Sequence, residues 1–304
     1  MIFVKYAQKS LEYFFPHYHQ NHIIMEIISL PFFTKFCILN MPAIKIRKEC
    51  NMKPKQSDWY KQIWSLDIKH HSWVEDTERQ VNFIIETLNL KGNERILDLA
   101  CGYGRHSLSF ARKGFEVVGI DITRDYIEDA IKTARDYSLP ATFLLSDIRE
   151  VTFSQDFDVV LNLADGAIGY LENDMENLKI FDVISNALKP GGVHVMDICR
   201  AEHAELYFPK YNWEAGSSTL SLSQFEWIPD KRIMLYGGYS LPYGEPTVKP
   251  DIIYGDPIRL YSMKEIKSIL RTRNMKVQKT YSDFLGAPAS PKNLQLMVFS
   301  KKLS

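Results

Sequence analysis

A doubly wound α/β fold with a mostly parallel sheet is predicted by two features of the chain. Short apolar runs alternate with helical periods between residues 76 and 199, and the runs are apolar at most positions, as in strands buried on both faces. A third feature marks where that winding stops. After Cys199 the strand-like segments alternate apolar and polar residues around a Pro229-Asp230 turn, which predicts an antiparallel insertion over residues 200–260. The composition suits such a fold: 304 residues, 45% of them apolar, with 37 Lys and Arg balanced by 37 Asp and Glu. Zero net charge lacks the basic footprint of a non-specific nucleic-acid binder, so nucleic acid is not an expected partner.

Residues 1–51 carry no sustained period. Their most apolar stretch is broken by Glu26, Pro31 and Lys35 and begins too late for a signal peptide, so no membrane span is expected. Lys48-Glu49, just ahead of Met52, can be encoded as AAG GAG, which is a ribosome-binding sequence. The expectation is a start at Met52 and a translated leader or disordered extension before it.

The elements then follow in order. Val81, Ile84, Ile85 and Leu88 lie at helical spacing within 76–90, and "KGNE" ends that helix. "RILDLA" reads as a buried strand, a helix over 105–113 is closed by Gly114, and "FEVVGI" is the next strand. Thr123 stands at the N-cap of a helix over 124–139; "ATFLL" and "FDVVLNL" are strands, 172–188 is a helix, and "GGVHVMDI" is a fifth strand. Beyond the insertion come a helix over 262–273 and strands near 275–281 and 294–301. This divides the chain into a core (52–199), an antiparallel insertion (200–260) expected as a lid over the mouth of the sheet, with an edge extension or dimer surface as the alternative, and a segment completing the sheet (261–304).

Ligands of open α/β sheets sit at the carboxyl ends of the strands. There, Gly102 and Gly104 let backbone approach a ligand, and Asp121 follows Asp98 by 23 positions, near the spacing at which an acid accepts from ribose hydroxyls. A dinucleotide fingerprint needs a third glycine where Ser107 stands, and Asp98 places a carboxylate where a pyrophosphate favours an open helix N-terminus. A ribose at one end and an ammonium at the other describe S-adenosyl-L-methionine better than NAD.

With "LDLACGYG", "VVGIDIT", "LLSDIRE", "FDVVLNLADGAIGYL" and "ALKPGG" in order, residues 58–304 resemble the class I S-adenosylmethionine-dependent methyltransferases, in particular small-molecule enzymes with an antiparallel insertion after strand five. The resemblance implies a seven-stranded Rossmann-like sheet and a transferase for a small-molecule acceptor. It implies that Asp98 holds the methionine amino group, Asp121 the ribose, and Asp147 the adenine amino group, with Ile122 and Ile148 about the ring. Ala100 stands where the first glycine is common, Leu163 lines the methionine arm, and Tyr60 closes over the cofactor carboxylate. Asp165 and Tyr170 are the candidates for orienting or deprotonating the acceptor, while Arg105 and His106 either touch the cofactor or stabilise the loop.

Four cysteines without regular spacing suggest neither a disulfide framework nor a metal site, and a reducing cytoplasm is expected. Two alternatives stay open at this point: an NAD(P)-dependent oxidoreductase and a non-catalytic S-adenosylmethionine-binding protein. The acceptor, the attacked atom and the oligomeric state are not written in the motifs.

Overall fold

The computed structural model describes residues 51–71 and 74–304, so the leader expected over 1–51 lies outside the described residues apart from Asn51. The chain enters through a two-residue strand, β1 (Lys53–Pro54), and helix α1 (Thr77–Leu88). Left-handed Asn89 ends α1, and the Glu94 carboxylate accepts from the N–H groups of Lys91 and Gly92, which closes the "KGNE" turn. Five strands and three helices then alternate: β2 (Arg95–Leu99), α2 (Arg105–Arg112), β3 (Glu116–Asp121), α3 (Arg124–Asp136), β4 (Ala141–Leu145), β5 (Phe157–Asn162), α4 (Asp174–Ala187) and β6 (Leu188–Cys199).

The insertion follows as α5 (Ala201–Tyr207), β7 (Lys210–Ala215), β8 (Thr219–Ile228), β9 (Ile233–Pro242) and β10 (Tyr254–Arg259). Helix α6 (Met263–Arg271), β11 (Met275–Tyr281) and β12 (Gln295–Lys302) return the chain to the main sheet. Ser262 and Glu265 form a reciprocal capping box that sets where α6 begins.

The main sheet has seven strands in the order β11-β12-β6-β5-β2-β3-β4, parallel except for β12, which runs antiparallel to both neighbours. The predicted fold class is the observed one. Successive strand residues point to opposite faces, and both faces are covered. Leu97, Val118, Val160 and Met196 pack with Phe181 and Ile184 of α4, whereas Ile96, Val117, Val159 and Val195 pack with Ile84 of α1 and Phe110 of α2. This double burial explains why the strands read as mostly apolar runs with no strict apolar–polar alternation. The strand order reverses between β2 and β5, which opens a crevice beyond their carboxyl ends.

The insertion builds a second sheet, β1-β10-β9-β8-β7, antiparallel except for the β1–β10 pair. Two features depart from the reading of the sequence. Residues 201–207 form a helix instead of the start of a strand region, because Ala201 and Ala204, three apart, are both buried. Lys53 and Pro54, read as part of the core, pair instead with Tyr254 and Gly255 of the insertion sheet.

One buried group predicts an acid sensitivity. His194 on β6 is fully buried, its Nδ1 is 3.5 Å from Ser300 Oγ, and its Nε2 has no hydrogen-bond partner among the described residues. Burial pushes its pKa from 6.5 down to about 3. Below pH 6.5 the unfolded chain takes up a proton that the folded chain refuses, so this contribution to stability is intact above that pH. It is expected to fall by about 1.4 kcal/mol per pH unit on acidification. Urea midpoints at about pH 7.5 and about pH 5 measure the slope. His194→Leu is expected to flatten it by one proton, and an unchanged slope would assign the sensitivity elsewhere.

Candidate active site

At the crevice, the chain leaves β2 through Ala100 (φ +57°), Gly102 (φ +59°) and Gly104 (φ +78°), all left-handed. Ala100 carries the steric cost of that conformation, about 1–2 kcal/mol, which a glycine would avoid. The Asp121 carboxylate holds the bend in place: Oδ2 accepts from Gly102 N at 2.8 Å and Oδ1 from Thr123 N at 2.8 Å. Thr123 is the N-cap of α3 by position, but its side chain makes no capping bond.

The two glycines serve different purposes. A Cβ on Gly102 would meet nothing closer than the Tyr126 ring at 3.9 Å, whereas one on Gly104 would lie 2.8 Å from Phe143 and 3.2 Å from Ala130. Gly104, expected at the cofactor, instead allows α2 to pack against β4 and α3, and it is not part of the cavity wall.

A cavity of about 510 Å³ opens over this bend. It is lined by Tyr60, Asp98, Ala100, Gly102, Asp121, Ile122, Leu163, Asp165 and Tyr170, nine of the twelve residues expected at the site; Gly104, Asp147 and Ile148 are not in its wall. Asp98 is buried and accepts from Ser107 Oγ at 2.5 Å. Burial, reinforced by the nearby Asp121 charge and opposed by Ser107 and Arg105, pushes its pKa up to about 6. Ser107 thus completes the acid's hydrogen bonding at the position where a dinucleotide site needs a glycine.

Arg105 Nη1 donates to Thr77 Oγ1 at 2.9 Å and to Gln80 Oε1 at 2.7 Å, and His106 Nε2 lies 2.8 Å from the same Gln80 oxygen. An oxygen already accepting from a guanidinium receives the imidazole N–H as well, so both residues tie the loop to α1 while bordering the cavity.

Asp147 and Ile148 do not line the cavity. The Asp147 carboxylate is held by Arg149, with Nε–Oδ1 at 2.9 Å and Nη2–Oδ2 at 2.6 Å, and Arg149 also reaches Glu172 at 3.0 Å and Glu176 at 2.6 Å. Burial raises the Asp147 carboxyl, but these bonds more than offset it and leave the pKa below the usual carboxylate value. Ile148 is buried in the core layer beneath α4. In this conformation the Asp147 carboxylate is engaged by the ion-pair network and Ile148 by the core, so the expected pair does not border the cavity.

The far wall is built on a strained turn. Ala164, Asp165, Gly166 and Ala167 all have φ between +51° and +68°, a run that persists only because its surroundings over-determine it. Asp165 N donates to the Asp197 carbonyl at 2.7 Å, and Asp165 Oδ1 accepts from Cys199 N at 3.0 Å, which pins the turn to the end of β6. Tyr170 Oη donates to Asp165 Oδ2 at 3.1 Å, and its ring stacks parallel to Trp64 with centroids 6.5 Å apart. Burial raises the pKa of both Asp165 and Tyr170. Tyr60, at the cavity edge, donates from Oη to Glu172 Oε1 at 2.8 Å.

Asp197, Gln295 and Tyr236 also line the wall and were missed in the sequence. Asp197 Oδ1 accepts from Gln295 Nε2 at 2.8 Å. Burial, aided by the charge of Asp165, pushes its pKa up to about 7. Its only sequence signal was an acid near the carboxyl end of a predicted parallel strand.

The comparisons with known proteins agree with this fold. A methyltransferase domain model matches residues 90–235. The Bacillus subtilis protein YqeM, itself assigned as a methyltransferase, is 28% identical over 222 residues, covering 68% of this chain and 84% of its own length. The ubiquinone biosynthesis O-methyltransferase of Rickettsia typhi is 29% identical over 154 residues, covering 46% of this chain and 61% of its own length. In fold, the chain is similar to the crystal structure of an S-adenosylmethionine-dependent methyltransferase from Clostridium acetobutylicum, with a TM-score of 0.63, 18% identity, and coverage of 75% of this chain and 93% of that one.

Sheet order and the methyltransferase domain match define an α/β enzyme whose cofactor is S-adenosylmethionine. Residues 90–235 match the methyltransferase domain family, and the chain is an S-adenosylmethionine-dependent methyltransferase similar to those of class I.

Proposed function

We propose that the chain methylates a small molecule that carries no net negative charge. The observation that carries this reading is one continuous cavity, about 510 Å³, running from the glycine bend to Asp197 and Tyr236. That size is typical of small-ligand sites, and once a cofactor occupies the bend the remaining space suits a small acceptor. Four carboxylates (Asp98, Asp121, Asp165, Asp197) line the cavity against one guanidinium, Arg105, which disfavours an anionic acceptor. The ubiquinone biosynthesis relative, a small-molecule enzyme by name, supports the same class.

The residues present fit the cofactor. Asp98 receives its ammonium, Asp121 its ribose hydroxyls, Ala100 and Gly102 present backbone, Ile122 and Leu163 give apolar contact, and Tyr60 closes the edge. When bound, S-adenosylmethionine supplies a methyl group already activated on a sulfonium. The protein then has mainly to position the acceptor, an effect that reaches about 7–11 kcal/mol in well-oriented systems. Asp165 and Tyr170 shape the acceptor wall. Asp197, with its pKa near 7, accepts a proton from an acceptor that must lose one.

Among the described residues no helix is long and apolar enough to cross a membrane, and the free thiols Cys101 and Cys199 support a cytoplasmic setting. The test is calorimetric titration with S-adenosylhomocysteine and with NADH, followed by labelled methyl donor offered small-molecule and macromolecular fractions of a cell extract. Binding of the first ligand alone, with label moving into the small-molecule fraction, is expected. Label found only in macromolecules would overturn the small-acceptor reading.

A further inference from the structure

The insertion sheet ends on β7, and the outer edge of β7 has no strand partner among the described residues. Tyr211 and Trp213 on this strand are 66% and 71% exposed. The β7–β8–β9 register places Trp213 on the same face as Leu222 and Tyr239, and Ala215 on the same face as Leu220 and Leu241, so the aromatics extend an apolar strip. An open edge flanked by large apolar groups is a template for another strand, which proteins ordinarily blunt.

The direction of the backbone groups follows from the hairpin. Gly216 N donates to Thr219 O at 2.9 Å, and hydrogen-bonded pairs recur at every second residue of an antiparallel ladder. Lys210, Asn212 and Glu214 therefore turn their backbone groups toward β8, while Tyr211 and Trp213 turn theirs to the open edge.

We propose that β7 is the interface of a twofold homodimer, pairing antiparallel with β7 of a second copy about Asn212. The strand "KYNWE" is complementary to its own reverse: a cation, an aromatic, Asn, an aromatic, an anion. Centred on Asn212, Tyr211 faces Trp213 of the second copy twice, and their outward N–H and C=O groups exchange hydrogen bonds. Lys210 faces Glu214 of the second copy twice, in the non-hydrogen-bonded pairs where side chains approach most closely. Moving the centre to Trp213 sets Lys210 against Gly216, and moving it to Tyr211 sets Lys210 against Asn212. Either shift loses both charge pairs. The isologous contact closes on itself and joins the two insertion sheets into one.

Sedimentation of the full chain tests this. The expected species is twice the 35.3 kDa chain mass. Lys210→Glu and Glu214→Lys, each of which sets like charges opposite one another, are each expected to weaken association at least about tenfold, and the double reversal to restore it. S-adenosylhomocysteine binding, measured on each variant, reports that the fold is intact. A monomer at every concentration overturns the proposal, as does a dimer indifferent to the single reversals or a double reversal that fails to restore association.

Discussion

Asp121→Ala is expected to weaken S-adenosylhomocysteine binding about 10²–10⁴-fold, measured by calorimetry. Two hydroxyls donating to a carboxylate contribute about 1.5–3 kcal/mol each, and every 1.4 kcal/mol is about tenfold in affinity. The substitution acts twice, because Asp121 also holds the N–H groups of Gly102 and Thr123 that shape the bend. Thermal unfolding is expected to shift only modestly: two backbone hydrogen bonds are lost at the cavity, but so is a carboxylate whose pKa burial has raised. Asp121→Asn retains one acceptor oxygen for two N–H donors, so an intermediate affinity is expected. Unchanged affinity in Asp121→Ala would remove this residue from the site.

The second large effect is a pH dependence set by Asp98. Its carboxyl is raised to about 6 in the ligand-free protein, and the cofactor's ammonium is held by the ionised form. Below that pH, binding must first expel a proton, so affinity is expected to fall about tenfold per pH unit. The stability of the ligand-free protein responds in the opposite sense. A carboxyl raised from 3.8 to about 6 makes the folded state the better proton binder, so its contribution declines as pH rises through that window. Calorimetry across the range separates the two. Asp98→Asn is expected to bind weakly with a flat profile, and a slope that survives in Asp98→Asn would place the titrating group elsewhere.

Much of the site was legible because its parts are local. The bend at Ala100, Gly102 and Gly104 and the acids at Asp98 and Asp121 occupy positions set by the ends of two adjacent parallel strands, and a strand end is visible wherever an apolar run stops. Asp147 also sits beyond a strand end, yet Arg149 is anchored by Glu172 and Glu176 and turns the carboxylate to itself. Those two glutamates are 23 and 27 residues from Arg149, and nothing local to "LLSDIRE" announces them. Asp197 was missed for a related reason: what distinguishes it is burial beside Asp165 and a bond from Gln295, 98 residues away.

By itself, the amino-acid sequence determined the winding of the sheet, the class of ligand and the glycine bend, because these follow from hydrophobic period and backbone sterics acting over a few residues. Only the tertiary structure decided which acids reach the cavity, that Gly104 serves packing, and that β1 joins the insertion sheet. Those outcomes depend on desolvation and on partners distant in the chain, and both come into being only when the chain is folded.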